Sequence, residues 1–560
     1  MDIYYNFFFV IIFITILLIF IYFLYNVKNV NKIHRFIFKL KNLLDLKKYQ
    51  HYFYDVHLYE NEILVSGKKY LKINDYLFKI KKKKKLSLKK AKILIIILFN
   101  KSSKYFRYTL GNKKFNRNIS NNSINFIKIK SDNKNLKIES DKNNNILNTF
   151  YINKKTKKLV LILILDGMSN QLANNLTYSN AFFEKKNRLQ NIWSNGPWTL
   201  PTFSSLFTGQ YTTNHLNYKA RSFYLNKRKI EDSQSINSQI TLFEFFQKKG
   251  FVTSCYSPYA RVNPTYNFDR GVDIFKNFTN SSTDEIVDEI ISQIQFFDSS
   301  SNLVFAHLMD AHHRIKGHDR LSDFIFFPDN NYNYLNLNQE AQNEMYKKQL
   351  YNKKLENFLR IKNFYEEKEI INRMKLVDLR LNALYHYIKK QNFEDFTIIL
   401  MGDHGTRFKN SSITGNVLDK AHQNVGFFIK DKKNKSFKNK KNSYIATIDI
   451  FPSLISRYEN KDPKKISKYF NGENTIFGKQ KKNYVICENL YDKNYDLLVN
   501  YKGNYLHSAF NVQDDKLVSE KSSKYYDKDE KEIKTKNKNF PFKVLEEIKK
   551  IHLHKLKLKR

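Results

Sequence analysis

The sequence contains very little cysteine. Its 560 residues include two cysteines, Cys255 and Cys487. Two are too few for a disulfide framework, and they lack the paired spacing of a thiolate metal site. Glycine and proline are also scarce, at 15 and 8 residues, whereas lysine, asparagine, isoleucine and tyrosine are used heavily. The cysteine count therefore excludes a disulfide scaffold and a cysteine-ligated metal site, and it leaves the redox compartment open.

Acidic residues are few relative to basic ones. The chain has 53 aspartates and glutamates against 97 lysines and arginines, which gives a formal net charge of +44. Because lysine is abundant throughout, we interpret most of this charge as solvated surface, although a basic surface also favours anionic substrates and lipid headgroups. The lysine runs come with no recognition motif, so the sequence predicts no nucleic-acid partner.

One long apolar run lies near the start of the chain. Residues 7–25 are apolar except for Thr15. As a helix they would span roughly 28 Å, close to the thickness of a bilayer core. No small-residue cleavage site follows, so the run predicts a retained membrane anchor rather than a removed signal peptide, with a buried core helix as the alternative. The lysines after it would place the remaining chain in the cytoplasm by the positive-inside rule.

Two other apolar runs each stop at a carboxylate. Residues 159–165 end in Asp166, and residues 397–401 lead into Asp403 and His404. Such runs are typical of buried parallel strands, and ligands bind outside the carboxyl ends of those strands. With the hydroxyl of Thr199, these side chains predict a cation site that activates a nucleophile. The alternatives are a buried salt bridge for the charged groups and a helix N-cap for Thr199.

These residues resemble the sulfatase branch of the alkaline phosphatase superfamily. The family has Cys-x-Pro-Ser-Arg and then Thr-Gly, and here the corresponding residues are 199–203, TLPTF, and 208–209, with His215 beyond. Weaker similarities occur at residues 241–251, 268–273 and 449–454. The resemblance implies an α/β fold with a mostly parallel sheet flanked by helices and a small C-terminal antiparallel subdomain. It also implies an extracytoplasmic catalytic domain, opposite to the charge rule.

The departures from the family pattern concern the chemistry. Sulfatases need a formylglycine at the position of Thr199, which threonine cannot supply, and the family arginine is Phe203. The paired aspartates of the first strand are reduced to Asp166 followed by glycine. Phosphodiesterase and phosphotransferase relatives instead carry Thr-x-Pro. The resemblance therefore implies Thr199 as nucleophile and a divalent metal held by Asp166, Thr199, Asp403 and His404. It implies hydrolysis or transfer of a phosphate or sulfate ester, with the phosphate ester favoured.

A second cluster follows a predicted strand at residues 303–308. Two-metal relatives supply an aspartate and two histidines for a second cation, and Asp310 with His312 or His313 and with His422 could do so here. Otherwise His312 and His422 would bind the substrate oxyanion or protonate the leaving group. His307 lies inside the predicted strand, and we interpret it as a packed core histidine.

Local patterns also predict helices. Ser282 and Glu285 form a capping box before an apolar face, and apolar residues recur at helical spacing between 370 and 388. Residues 544–558 predict either an amphipathic helix on a partner or membrane face or a frayed solvated helix.

The sequence thus predicts five parts. They are a transmembrane anchor at 1–26, a β-rich accessory region at 27–150, a sulfatase-like catalytic domain at 158–460, a C-terminal subdomain at 461–530 and a basic tail at 531–560. We expect a single-pass membrane enzyme that uses a divalent Zn, Mn, Ca or Mg ion and cleaves an anionic ester in a glycan, a lipid headgroup or a small molecule. The alternative is an inactive anchored module that binds an anionic glycan or lipid.

Overall fold

A computed structural model gives the fold of the chain. It describes strand residues 57–59, 62–65, 68–73 and 76–79. It also describes residues 91–554 with gaps at 122, 133–135, 140–143, 218–239, 260–261, 263, 278–281, 312–366, 407–417, 441, 467, 469, 479–481, 492–493, 514–515 and 535–538. The predicted anchor at 1–26 and the residues His312 and His313 lie outside this part of the chain. None of the helices within it is long and apolar enough to cross a membrane.

The described residues divide into two compact units, one that extends to Asn153 and one that begins at Lys154. In the first unit every described element is a strand. Leu94, Ile96 and Leu98 alternate along β5 and form a buried core with Phe106 and Ile127. The strands are β1 (His57–Tyr59), β2 (Glu62–Val65), β3 (Lys68–Ile73), β4 (Tyr76–Lys79), β5 (Ile93–Asn100), β6 (Tyr105–Leu110), β7 (Lys113–Asn118), β8 (Ser123–Lys130), β9 (Leu136–Glu139) and β10 (Asn144–Ile152).

The second unit is built on a mixed sheet. The strands of this sheet are β11 (Lys158–Leu165), β12 (Arg188–Leu189), β14 (Phe251–Ser257), β15 (Ile274–Asn277), β16 (Ser301–Leu308), β17 (Asp395–Met401) and β18 (Phe427–Asp431). Two short strands, β13 (Ile192–Trp193) and β19 (Ile445–Ala446), pair separately in parallel. The sheet order is β15-β14-β16-β11-β17-β18-β12. The first five strands in this order are parallel to one another. Strand β18 then pairs antiparallel with β17, and β12 pairs antiparallel with β18. The central strand β11 is buried from Leu159 to Leu165, which explains its continuous apolar run.

Helices connect and cover these strands. They are α1 (Thr177–Phe183), α2 (Thr199–Thr208), α3 (Thr212–His215), α4 (Leu242–Lys248), α5 (Thr283–Phe296), α6 (Glu367–Lys389), α7 (Lys420–Gln423), α8 (Ile450–Glu459) and α9 (Phe542–His554). The capping box predicted at Ser282 and Glu285 opens α5, with both of its reciprocal hydrogen bonds present. The repeat predicted between 370 and 388 is α6, and its apolar positions are buried. The α/β class is therefore confirmed.

A four-stranded antiparallel sheet forms the C-terminal part. Its strands are β20 (Tyr484–Tyr491), β21 (Asn494–Tyr501), β22 (Asn504–Gln513) and β23 (Lys516–Tyr526). Helix α9 buries Leu545 in the core of this sheet, and His552 Nε2 lies 2.6 Å from Oε1 of the buried Glu488. Up to His554 the segment is an amphipathic helix, as predicted, and it is not the frayed solvated helix of the alternative. The helix packs on its own sheet because its polar inner face has a carboxylate partner there.

Candidate metal centre

The ends of two adjacent parallel strands bring three charged side chains together. Asp166 follows β11 directly, and Asp403 and His404 come just after β17, which pairs with β11 in register from Lys158 to Ile164. One ligand atom from each of the three residues lies within 4.8 Å of the others, and all three residues are buried. Among the residues that the structure describes, this is the group of His, Cys, Asp or Glu side chains that could hold a metal ion.

The two carboxylate oxygens of Asp403 have separate roles. Oδ1 accepts hydrogen bonds from the backbone amides of Gly167, at 3.1 Å, and of His404, at 2.9 Å. Oδ2 accepts a hydrogen bond from the Thr199 hydroxyl at 2.8 Å and lies 3.4 Å from His404 Nε2. Backbone donors therefore hold one oxygen, and the other faces the nucleophile candidate and the imidazole.

Gly167 makes the first of these contacts through its backbone conformation. Its φ is +74°, in the left-handed region that glycine adopts without strain. A Cβ atom here would lie 2.6 Å from Thr406 Oγ1, and that hydroxyl donates to the Gly167 carbonyl at 2.8 Å. A second aspartate of the family pattern would therefore be strained at this position and would require the side chain of Thr406 to shift.

His404 presents one ring nitrogen to the two carboxylates. Its Nδ1 donates to the Gly405 carbonyl at 2.9 Å, so in the neutral ring Nε2 carries the free lone pair. Nε2 lies 3.5 Å from Asp166 Oδ1. Burial lowers the pKa of His404, but Asp403, Asp166 and the Gly405 carbonyl outweigh burial and raise this pKa above its usual value.

The donor set fits a divalent cation. Two buried carboxylates close together are unfavourable unless a positive charge compensates them. A cation at this point would meet Asp166, Asp403, the Nε2 lone pair of His404 and the hydroxyl of Thr199. Mixed oxygen and nitrogen ligands of this kind suit Zn or Mn.

Thr199 is the first residue of α2, and the preceding Trp198 is the N-cap. The alternative of Thr199 as an N-cap is therefore wrong. Its hydroxyl donates to Asp403 Oδ2 at 2.8 Å and also lies 3.5 Å from Asp166 Oδ2. Every residue of α2 is buried, so the hydroxyl is held by a helix packed inside the domain.

His307 is fully buried, as expected for a core residue, but it also contacts the site. Its Nε2 lies 3.0 Å from Asp166 Oδ2. The interpretation as a packed core histidine is thus incomplete. The signal in the sequence is the register of β16, which places His307 opposite Ile164, two residues before Asp166. That register cannot be read without knowing that the two strands pair.

Of the remaining predicted site residues, His422 lies beside the metal centre and Asp310 is bound elsewhere. The ring of His422 stacks on that of His404, with 4.9 Å between centroids, and its Nε2 donates to the Pro197 carbonyl at 2.7 Å. Asp310 instead uses Oδ2 to accept from Arg380 Nη1 and from the Thr283 amide, both at 2.8 Å. Asp310 is not part of the group that could hold a metal within the described residues. A second metal site with His312 or His313 stays a prediction.

A family model described as Sulfatase matches residues 158–458, just over half of the chain. No curated protein matches the sequence. Among solved structures, the chain is similar to the C-terminal periplasmic domain of phosphoethanolamine transferase EptC from Campylobacter jejuni (13% identity, 55% of this chain and 90% of that one, TM-score 0.38).

Two further structures show the range of these similarities. The EptC domain from Escherichia coli, solved in complex with Zn, matches at 14% identity over 54% of this chain and 82% of that one, with a TM-score of 0.37. A protein solved with its substrate D-glucosamine-2-N,6-O-disulfate matches at 11% identity over 72% of this chain and all of that one, with a TM-score of 0.43. On the extent of the family match, the chain belongs to the sulfatase family of enzymes.

Proposed function

We propose that this enzyme cleaves or transfers phosphate esters with Thr199 as the nucleophile and a divalent metal ion as cofactor. The observation that carries the proposal is the 2.8 Å hydrogen bond from the Thr199 hydroxyl to Asp403 Oδ2, beside the imidazole of His404. A bound ion supplies Lewis acidity, which lowers the pKa of a neighbouring hydroxyl and neutralises charge on a phosphoryl group. Asp166, Asp403, His404 and Thr199 would hold it.

The reaction has two displacement steps. In the first, Thr199 Oγ1 gives its proton to Asp403 Oδ2 and attacks phosphorus in line, the bond from phosphorus to the leaving oxygen breaks on the opposite side, and the leaving oxygen takes up a proton from solvent. The product is a phosphothreonine. In the second, water or an acceptor alcohol attacks the same phosphorus and releases its proton to solvent, the bond to Oγ1 breaks, and Oγ1 recovers its proton from Asp403.

The position of Thr199 at the start of α2 supports an anionic intermediate. The first amides of a helix have no intrahelical acceptor, and the helix dipole favours negative charge at this end. Pro201, in the first turn, lacks an amide hydrogen and fits there without loss of a hydrogen bond. Sulfatase chemistry would instead need an aldehyde hydrate, which a threonine side chain cannot form, so we favour phosphate over sulfate as the substrate ester.

The test compares Thr199→Ala with Thr199→Ser, assayed on an aryl phosphate, a phosphodiester and an aryl sulfate. We expect Thr199→Ala to retain metal and lose activity about a thousandfold or more, as when a nucleophile is deleted, whereas Thr199→Ser retains a good part of the rate. Mass spectrometry of the peptide that contains Thr199 should find a phosphoryl group. Wild-type turnover by Thr199→Ala would overturn the proposal, and a metal-loaded wild type inactive on all three substrates would favour a binding module.

We also propose that residues 1–26 anchor the chain in a membrane, with the catalytic domain on the extracytoplasmic side. The support is the length and purity of the apolar run. Deleting residues 1–26 should release the protein from membranes after a high-salt wash. Reporter fusions at the C-terminus test the face, because a cytoplasmic signal would favour the positive-inside rule over the family expectation.

A further inference from the structure

We infer that His307 is a positioning residue for Asp166 and that Ser257 orients its imidazole. By occupying one carboxylate oxygen, His307 favours metal binding through the other oxygen alone and thereby biases the site against calcium. The inference rests on the proposed metal centre and deepens it. His307 is fully buried on β16 and Ser257 is fully buried at the end of β14. The two residues and Asp166 form a continuous hydrogen-bonded line from the neighbouring strands to the site.

The direction of each hydrogen bond follows from the atoms present. A carboxylate only accepts, so His307 Nε2 must donate to Asp166 Oδ2 across the 3.0 Å between them. In the neutral ring the other nitrogen, Nδ1, is then an acceptor. The partner of Nδ1 is Ser257 Oγ at 3.2 Å.

The backbone determines what Ser257 can offer. The amide of Tyr259 donates to Ser257 Oγ at 3.2 Å, and the hydroxyl keeps its own hydrogen, which it donates to the lone pair of His307 Nδ1. This arrangement selects the tautomer with its hydrogen on Nε2, the nitrogen that faces Asp166. Outer partners of this kind orient metal ligands and tune their affinity.

Packing holds the imidazole in this orientation. The ring of Phe203 meets that of His307 edge to face, with centroids 4.8 Å apart. The ring of Tyr259 approaches in a similar way, with centroids 6.1 Å apart. Phe203 occupies the position of the family arginine, so the residue that departs from the family pattern supports the side chain that positions Asp166.

The consequence for the metal lies in the second oxygen of Asp166. Oδ1 faces His404 Nε2 at 3.5 Å, whereas Oδ2 accepts from His307 at 3.0 Å and lies 3.5 Å from Thr199 Oγ1. Two backbone amides hold Oδ1 of Asp403, so Asp403 offers one oxygen. At Asp166 the hydrogen bond from His307 competes with an ion for the second oxygen. Calcium takes six to eight oxygen ligands and readily uses carboxylates through both oxygens, whereas Zn and Mn accept smaller sets of mixed donors.

The test uses two variants that differ in reach. In His307→Gln the side-chain amide can place its NH₂ group near the position of Nε2 and donate to Asp166. In His307→Asn the amide reaches only the position of Nδ1. Affinities of Zn, Mn and Ca for the detergent-solubilised full-length protein would be measured by chelator competition, with thermal unfolding of each variant alongside.

We expect His307→Asn to weaken Zn or Mn binding by about 10- to 100-fold and to raise the affinity for Ca relative to Zn, and we expect His307→Gln to recover most of both effects. Ser257→Ala should give a smaller change in the same direction, because Nδ1 loses its donor. Equal metal affinities and equal selectivity for His307→Asn, His307→Gln and the wild type would overturn the inference and leave the metal centre standing. A wild type that binds none of the three ions would instead overturn the proposed function itself.

Discussion

The imidazoles of His404 and His422 lie nearly parallel, at 19° between ring planes and 4.9 Å between centroids. His422 is tied at the same time to the carbonyl of Pro197, two residues before Thr199. The stack therefore connects the loop after β17 with the segment that carries Thr199, the proposed nucleophile. An imidazole held in this way, with Nδ1 bonded to its own loop, cannot turn Nε2 away from the carboxylates without breaking both contacts.

The first prediction concerns the charge of Asp403. Asp403→Asn keeps an acceptor for the amides of Gly167 and His404 but removes the negative charge, so the variant should fold and lose bound metal. Asp403→Ala should lose metal and also stability, by about 1–3 kcal/mol for each buried donor left without an acceptor. His404→Ala should lose metal as well. Metal analysis and thermal unfolding distinguish these results, and full metal content in folded Asp403→Asn would contradict the assignment.

The second prediction concerns the missing aspartate of the family pair. Gly167→Asp should destabilise the protein by about 1–3 kcal/mol, because the backbone is left-handed and the added Cβ collides with Thr406 Oγ1. Gly167→Ala is the matched control, since it carries the same strain without a carboxylate. If Gly167→Asp bound metal more tightly than Gly167→Ala, the new carboxylate would reach the ion and our account of this position would be wrong.

The third prediction concerns Asp310. Asp310→Ala removes the buried partner of Arg380 and should reduce the free energy of unfolding by about 3–5 kcal/mol. The number of metal ions per chain should stay the same. Asp284→Ala is the control, because Asp284 is the other carboxylate partner of Arg380 and its own side chain is 57% exposed. This substitution should change the free energy of unfolding by about 1 kcal/mol or less. A drop from two bound ions to one in Asp310→Ala would instead identify Asp310 as a ligand.

The fourth prediction concerns pH. Burial of His215 lowers the pKa of its imidazole to about 3. The ring accepts from the Asn217 amide and lies 3.1 Å from Ser205 Oγ. The unfolded chain takes up a proton near pH 6.5 and the folded chain does not. The contribution of His215 to the free energy of unfolding should therefore fall by about 1.4 kcal/mol for each pH unit below 6, down to about pH 3.

The comparison is with His215→Asn in denaturant titrations between pH 7.5 and 4. The variant loses packing at every pH, but its deficit relative to the wild type should shrink as the pH falls. A constant difference over this range would show that His215 takes up its proton at the same pH in the folded and unfolded chain, which would contradict the lowered pKa.

Much of the fold could be anticipated from local patterns. The apolar runs before Asp166 and Asp403 are parallel strands, and the capping box at Ser282 opens a helix, because burial and capping impose patterns that reach over only a few residues. The same patterns predicted that Asp166, Asp403 and His404 lie at the ends of strands. That they lie close together could be predicted without knowing how the strands pair, since parallel strands all end at one edge of the sheet.

The contacts that organise the site were not visible in the same way. The role of His307 depends on the pairing of β16 with β11, and the engagement of Asp310 depends on Arg380, which lies 70 residues further along the chain. A side chain that reaches across strands or between helices leaves no periodic signal. The packing of the tail helix was missed for the same reason, because its inner partner, Glu488, lies 64 residues earlier.

The distance along the chain between the parts of the metal centre has a thermodynamic consequence. Thr199 and Asp403 are 204 residues apart in sequence, and Asp403 and Gly167 are 236 apart, so the unfolded chain does not hold the ligand set together. An ion that binds the folded chain alone raises the free energy of unfolding by about 1.4 kcal/mol for every tenfold rise in its free concentration above the dissociation constant. The concentration of free metal should therefore affect the stability of the folded chain as well as the proposed catalysis.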